Sequence, residues 1–229
     1  MCTVSIVPWE DGFRLTCNRD ERRTRAEARP PRRRPAGRSM ATYPLDPESG
    51  GTWVAVNAAG LAAAILNLND GPRAPAHRAP RSRGEIVPAI AGCRSLDEAL
   101  DAALSIDGAA YEPFRLVIAQ GRAVAAVSRE RGRAVARVDL RRPVLFTSSS
   151  LGDALVEAPR RALFDAMVVG ARDWRKGQFR FHRHQWPDRL PMSVCMSRPD
   201  AATVSRTTID ATSRGVRLVY EPVEAGPSC

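Results

Sequence analysis

Cys2 is the second residue of the chain, and removal of Met1 leaves it with a thiol and a free α-amine on adjacent carbons. A free thiol loses its proton near pH ~8.5 and an α-amine near pH ~7.7–8.0, so the amine can serve as general base for its own side chain. No histidine is needed. The thiolate then attacks an amide or ester carbonyl, and water hydrolyses the thioester-linked intermediate. Three helpers are required: a carboxylate to orient the amine and thiol, amide or backbone N–H donors for the tetrahedral oxyanion, and a pocket for the acyl group. One oxyanion donor typically contributes about 2.7–4 kcal/mol.

Asp20 and Asn67 are the side chains placed for the first two roles. TVSIVP (3–8) and FRLTC (13–17) are β-rich runs joined across WEDG, where Asp11-Gly12 signals a hairpin. The second run leads into Asn18-Arg19-Asp20-Glu21, so these polar groups lie beside the strand that carries Cys2. GGTWVAV and LAAAILNLN, turned at Asn57-Ala58-Ala59-Gly60, form a second hairpin that ends on Asn67 and Asn69. Asn67 suits the oxyanion, while Asn57 and Asn69 read as turn residues.

Other reactive side chains carry less. His182 and His184 in FRFHRHQW are two apart and would share a strand face, yet their Arg-flanked setting argues for neither a metal nor a haem site. His77 lies in a Pro/Arg loop, and Ser148-Ser149-Ser150 has no adjacent His or Asp for a serine triad. The five cysteines, Cys2, Cys17, Cys93, Cys195 and Cys229, are scattered with no CxxC pair. Neither a zinc site nor a disulfide framework is expected, and no cofactor is implied. Cys93 and Cys195 read as buried small hydrophobes and Cys229 as an exposed tail residue.

The elements that must position these groups alternate between strands and a few helices. SLDEALDAAL is a helix with Ser95 as N-cap and Glu98 three residues on. FRLVIA, AVAAVS, AVARVDL and PVLFTS are strands; EAPRRALFDAMV is a second helix with Pro159 in its first turn; MSVCMS, TVSRTTI and GVRLVYEPV are three more strands. This order predicts an α+β fold, a four-layer α-β-β-α sandwich of antiparallel sheets, in one domain spanning 1–229. The stretches RDERRTRAEARPPRRRPAGR and GPRAPAHRAPRSRG read as solvated loops.

The net charge is +10, but Lys176 is the only lysine, and acidic residues interrupt the densest arginine cluster. No specific nucleic-acid partner is therefore expected. No apolar run approaches the ~18 residues of a membrane span. The N-terminus lacks the charged-then-apolar build of a secretory signal, so a soluble, cytoplasmic protein is expected. The oligomeric state is unspecified by the sequence.

MCTVSIVPW, LTCNRDERRTR, GGTWVAVNAAGLAAAILN and SRGEIV, in this order, resemble the NRDE-domain family, also called the transport and Golgi organisation family. The resemblance runs from residue 2 to roughly residue 165, with MSRPDAATVSRTTI recognisable in the tail. The family in turn is similar to N-terminal nucleophile hydrolases of the choloylglycine hydrolase and penicillin V acylase type. Those begin Met-Cys and carry Arg-Asn-x-Asp on the second strand. Here the segment is Cys17-Asn18-Arg19-Asp20, so Asn18 and Asp20 match and Cys17 replaces the arginine. Arg19 is expected to point to the opposite strand face from that lost guanidinium. The enzymes' Gly-Leu…Leu-Asn segment is matched by Gly60-Leu61 and Leu66-Asn67, and Ser148 stands where they carry a later Asn.

This resemblance implies a cysteine amidohydrolase acting on a linear carbon–nitrogen amide bond of a small-molecule amide or acyl substrate. Cys2 would be nucleophile, its amine the base, Asp20 the orienting carboxylate, Asn67 the oxyanion donor, and Asn18 and Arg19 supporting residues. The alternative implied by the same family is a non-catalytic trafficking protein that holds haem or an acyl lipid in that pocket.

Overall fold

The computed structural model describes residues 2–69, 81–129 and 133–223. His77 and Cys229 lie outside the described residues. Twelve strands are described: β1 (Cys2–Trp9), β2 (Gly12–Arg22), β3 (Arg29–Ala36), β4 (Ser39–Leu45), β5 (Val54–Asn57), β6 (Ala62–Asn67), β7 (Phe114–Gln120), β8 (Ala123–Arg129), β9 (Arg133–Asp139), β10 (Val144–Thr147), β11 (Ala201–Thr212) and β12 (Gly215–Pro222). They form two antiparallel sheets, one of order β10-β1-β2-β11-β12 and one running in sequence from β3 to β9. Helices α1 (Ile86–Ala91) and α2 (Leu96–Leu104) pack on the larger sheet, and α3 (Asp153–Phe164) and α4 (Trp174–Phe181) on the smaller one. The α+β sandwich of antiparallel sheets is as the sequence predicts.

Strand alternation sorts the side chains of the small sheet into two layers. On β1, Cys2, Val4 and Ile6 face the large sheet and join the main apolar core, whereas Val7 packs with Phe164, Val168 and Phe181 of the helical layer. The register pairs Cys2 with Arg19, Val4 with Cys17 and Ile6 with Leu15. Odd residues of β2 therefore share the inter-sheet face with Cys2. Its even residues up to Asn18 belong to the helical side, while Asp20, beside the irregularity in the β2–β11 pairing, borders the cavity that Cys2 lines.

Several local readings are revised. The first Arg/Pro stretch is not all loop: Arg29–Ala36 is an edge strand hydrogen-bonded to β4. Proline and charge are tolerated at a sheet edge because the unpaired side needs no ladder donor. The strand pair β3–β4 was not legible, since neither segment alternates. Asp153, not the residues near Pro159, begins α3, which leaves Pro159 inside the helix. FRF of FRFHRHQW ends α4, so His182 follows a helix and does not lie on a strand. MSVCMS forms no strand beyond a single bridge between Ser197 and Ala202. Ser95 does cap α2, accepting from the Glu98 N–H at 3.2 Å.

Candidate active site

Cys2, 4% exposed, lines a cavity of about 730 Å³ together with Arg19, Asp20, Ile65 and Asn67. Its place there follows from register. It is the first residue of β1, beside Arg19 of β2 on one flank and the end of β10 on the other. Because Thr3 pairs with Thr147, the next residue of the chain, Ser148, lies alongside Cys2. The backbone N–H of Cys2 donates to Ser148 Oγ at 3.2 Å, and the Ser148 N–H donates to the Cys2 carbonyl at 3.0 Å. Ser148 thus holds the Cys2 nitrogen.

Asp20 is 2% exposed and accepts a 2.6 Å hydrogen bond from the Thr203 hydroxyl. The β2–β11 register shifts between Thr203 and Ser205, directly opposite Asp20 and Arg19. A bulge here re-aims side chains at the sheet's end, which fits a site rim. Burial pushes the Asp20 carboxyl above the usual range, and the positive charge of Arg160 and the Thr203 bond pull it only part of the way back. Arg160 is itself buried, 1% exposed. It donates to the hydroxyls of Thr3 (3.0 Å) and Thr147 (2.7 Å) and to the carbonyls of Met192 (3.0 Å) and Ser193 (2.7 Å). This guanidinium ties β1 and β10 together behind Cys2 while supplying a counter-charge to Asp20.

Cys17 lies diagonally across from Cys2 on the same face and is fully buried. A hydrogen bond from Cys17 is the chief influence holding the Cys2 thiol below its usual range, against the opposing effect of burial. The same contact, with burial, pushes Cys17 well above that range. Cys2 is accordingly the more acidic thiol of the two. A depressed, cavity-lining thiol is the reactive kind.

Arg19 corrects one expectation. It is two residues from Cys17, so it shares that residue's strand face and enters the cavity beside Cys2. Its Nη2 donates to Asp46 at 2.7 Å, and its guanidinium lies over the Trp53 ring at 4.3 Å. Asn18 faces the other way. Its amide donates to the carbonyls of His182 (2.8 Å) and Val194 (3.0 Å), and its oxygen lies 3.0 Å from His182 Nδ1. Asn18 therefore supports the strand from the helical layer and does not reach the cavity. His182 is fully buried with Nε2 2.7 Å from Ser5 Oγ. Both its ring nitrogens are engaged.

Asn67 closes β6, opposite Phe114, and its side chain borders the cavity, as the second hairpin requires. The far wall is held close by two glycines. A Cβ on Gly51 would lie 2.4 Å from the Gly84 carbonyl carbon, and Thr52 N–H donates to the Gly84 carbonyl at 2.9 Å. This wall and the rim are charged, with Arg25, Arg81 and Arg83 facing Glu21, Asp46 and Glu112. Among the described residues no three His, Cys, Asp or Glu side chains converge as a metal site. Cys93 and Cys195 are both buried as expected, but Cys195 is disulfide-bonded, where the sequence held no reason to expect a disulfide.

Sequence reasoning missed Thr203, Arg160, Asp46 and Trp53. Asp46 had a weak signal in the DPESGG turn, where its Oδ1 accepts from the N–H groups of Glu48 (3.0 Å) and Ser49 (3.2 Å). Arg160 had none. It sits in an ordinary helical stretch and becomes visible only when α3 docks on β1.

A cysteine at the start of the strand, two facing antiparallel sheets and outer helices define the N-terminal nucleophile hydrolase fold. The chain belongs to the transport and Golgi organisation 2 (TANGO2) family, whose sequence model matches residues 1–170. Solved structures with this fold include penicillin V acylase from Agrobacterium tumefaciens, 15% identical, covering 97% of this chain and 83% of that one with a TM-score of 0.58. A Caenorhabditis elegans orthologue of N-acylethanolamine-hydrolyzing acid amidase is 10% identical over 95% of this chain and 100% of that one, with a TM-score of 0.63. The C2A mutant of a conjugated bile acid hydrolase from Clostridium perfringens is 10% identical over 100% and 98%, with a TM-score of 0.50. No curated protein matches the sequence significantly. No described helix is long and apolar enough to cross a membrane.

Proposed function

We propose that this protein hydrolyses a linear carbon–nitrogen amide bond of a small polar molecule, with Cys2 as nucleophile after removal of Met1. The observation that carries this reading is the fixation of Cys2. Its nitrogen is hydrogen-bonded to Ser148, and its lowered thiol faces a cavity shared with Asp20 and Asn67. In the proposed cycle the α-amine takes the thiol proton, and the thiolate adds to the amide carbonyl. Asn67 donates to the oxyanion, and the amine then delivers the proton to the leaving nitrogen. A water molecule, deprotonated by the same amine, releases the acid. Asp20 orients the amine, and its elevated carboxyl sets the acid limit of activity.

The substrate class follows from the cavity wall. An alkyl chain lying against Arg19, Arg25, Glu21 and Asp46 would strip water from charged groups without replacing their hydrogen bonds. A substrate carrying its own charges restores those contacts, which favours amino-acid-like amides over long-chain acyl amides. The same charges disfavour the haem or acyl-lipid carrier reading.

The test is a panel of coumarin amides bearing aminoacyl, phenylacetyl and decanoyl groups, run with the wild type and Cys2→Ser, alongside intact mass. Loss of Met1 and hydrolysis that disappears in Cys2→Ser are expected. Retention of Met1, or equal turnover by Cys2→Ser, overturns the proposal. Preference for decanoyl overturns the substrate class alone.

A further inference from the structure

The positive charge of the chain is not evenly neutralised. Arginines elsewhere are held by carboxylates: Arg19 and Arg25 by Asp46, Arg183 and Arg206 by Glu221, Arg137 by Asp97. A cleft at the Trp9 end of β1, between the start of β2 and helix α4, differs. It measures about 1330 Å³ and is lined by Arg172, Arg175, Lys176 and Arg180. Among the described residues none of these four cations forms an ion pair. The cleft's carboxylate, Asp173, is engaged with the backbone, accepting from the N–H groups of Arg175 (3.0 Å) and Lys176 (3.2 Å). A fifth cation, Arg14, is bound to Asp210 at 2.5 and 2.7 Å. Like charges side by side repel one another, and a cleft lined by one sign concentrates ligands of the other.

We propose that this cleft binds a single-stranded nucleic acid, without regard to base sequence. Lys176 and Arg180 are four residues apart on α4 and so share a helix face, with exposed Arg172 just before the helix. They are placed to pair with successive phosphates. The Arg175 guanidinium lies over the Trp9 ring at 4.7 Å, and that of Arg14 at 5.3 Å. A guanidinium stacked on an indole is fixed in orientation, and its N–H fork is then ready for phosphate oxygens. Bases need aromatic surface. Phe179 is 55% exposed between Lys176 and Arg180, and half-buried Trp174 lines the same cleft. Stacking on such rings tolerates any sequence, because every base has a π-face.

Size and shape select a strand over other anions. The cleft exceeds the ~300–1,000 Å³ of a typical small-ligand site, so a single mononucleotide leaves it unfilled. Trp9 and Trp174 are half-buried in its lining, whereas a flat anionic bilayer meets only protruding side chains. An acidic peptide satisfies the cations but leaves exposed Phe179 without a stacking partner. The site is also separate from Cys2. β1 runs from Cys2 to Trp9, a span of about 23 Å at ~3.3 Å per residue, so a bound strand and an amide substrate do not compete. The proposal is independent of amide hydrolysis.

The experiment titrates the full chain into a fluorescein-labelled, twelve-nucleotide oligothymidylate and follows anisotropy. Four phosphate contacts on a single strand give a salt slope of about −2.8, so affinity should fall roughly 50-fold between 50 and 200 mM salt. Ultraviolet crosslinking of the bound wild type should attach the oligonucleotide to the peptide that holds Trp174 and Phe179. Arg175→Gln, Lys176→Gln and Arg180→Gln together should flatten the slope by about 2. Phe179→Ala should weaken binding about fivefold or more and leave the slope unchanged. No binding at 50 mM salt, crosslinking elsewhere, or an unchanged slope in the triple variant overturns the site. Phosphatidylserine vesicles or polyglutamate that displace the oligonucleotide at equal charge overturn the choice of partner. Because the crosslinked peptide is read in the wild type, a misfolded variant leaves the test intact.

Discussion

The Ser148 hydroxyl lies 3.2 Å from the Cys2 nitrogen, while the Ser148 N–H donates to the Cys2 carbonyl at 3.0 Å. One residue thus fixes both polar ends of the Cys2 backbone. The backbone half of this clamp is independent of side chain and survives substitution. Ser148→Ala removes the contact to nitrogen, the atom that would act as base, together with the longer 3.4 Å bond from the hydroxyl to the Cys2 carbonyl. A typical hydrogen bond contributes about 0.5–1.5 kcal/mol, so Cys2-dependent kcat/KM should fall roughly two- to tenfold. The melting transition should be little changed. An unaltered rate would show that the amine needs no support from Ser148.

Cys17 lowers the thiol it touches. Cys17→Ala removes the S–H that stabilises the Cys2 thiolate, leaving burial as the dominant influence. The ionisation of Cys2 must then move upward. Its rate of alkylation by iodoacetamide, followed against pH by mass spectrometry, should rise at higher pH than in the wild type. A coincident profile would separate the two thiols.

His182 carries a pH prediction for the fold. Asn18 donates its amide N–H groups to the His182 and Val194 carbonyls, which turns its oxygen toward Nδ1. Nδ1 therefore donates, and Nε2 accepts from Ser5, so the ring is neutral. Burial, aided by the Arg206 and Arg183 charges, holds His182 well below its usual value. A histidine depressed in the folded state resists protonation that the unfolded chain accepts. Stability is thus full above about pH 6.5 and falls as pH drops below it, by at most about 1.4 kcal/mol per unit. Urea midpoints at pH 7.5 and 5.5 should differ for the wild type, and the difference should shrink in His182→Gln. Equal slopes in both proteins would assign the pH dependence elsewhere.

Why the site was partly legible follows from the range of the signals. Asp11-Gly12 fixed a hairpin, and a hairpin alone brings Arg19 and Asp20 to Cys2, because the pairing is local in the chain. Asn67 was found the same way from the second hairpin. Ser148, Thr203 and Arg160 arrive from positions more than a hundred residues beyond Cys2 and carry no local pattern. The face occupied by Arg19 was misread: residues 17 and 19 are two apart, so alternation puts them on one side. The strand β3 was not legible, since its prolines and arginines suit an edge and a loop equally well.

Asp46 joins the cavity to the stability of the fold. It accepts from Arg19 at 2.7 Å and from Arg25 at 2.9 Å, while its other oxygen closes the turn at Glu48 and Ser49. The Arg19 and Asp46 side chains are 6% and 7% exposed. Burial alone would raise this carboxyl, but the Arg25 hydrogen bond and the charges of Arg19 and Arg25 outweigh it and hold Asp46 below the usual range. A depressed carboxylate contributes stability above the ordinary carboxylate range and loses it as pH falls through that range, from about pH 4 downward. Asp46→Ala leaves Arg19 buried over Trp53 without its closest counter-charge and should cost about 3 kcal/mol in chemical denaturation. The variant's acid limb should be flatter than the wild type's. Should Asp46→Ala instead melt like the wild type, Trp53 and Glu21 suffice to hold Arg19, and the charged wall is a surface of loosely held ions available to a substrate.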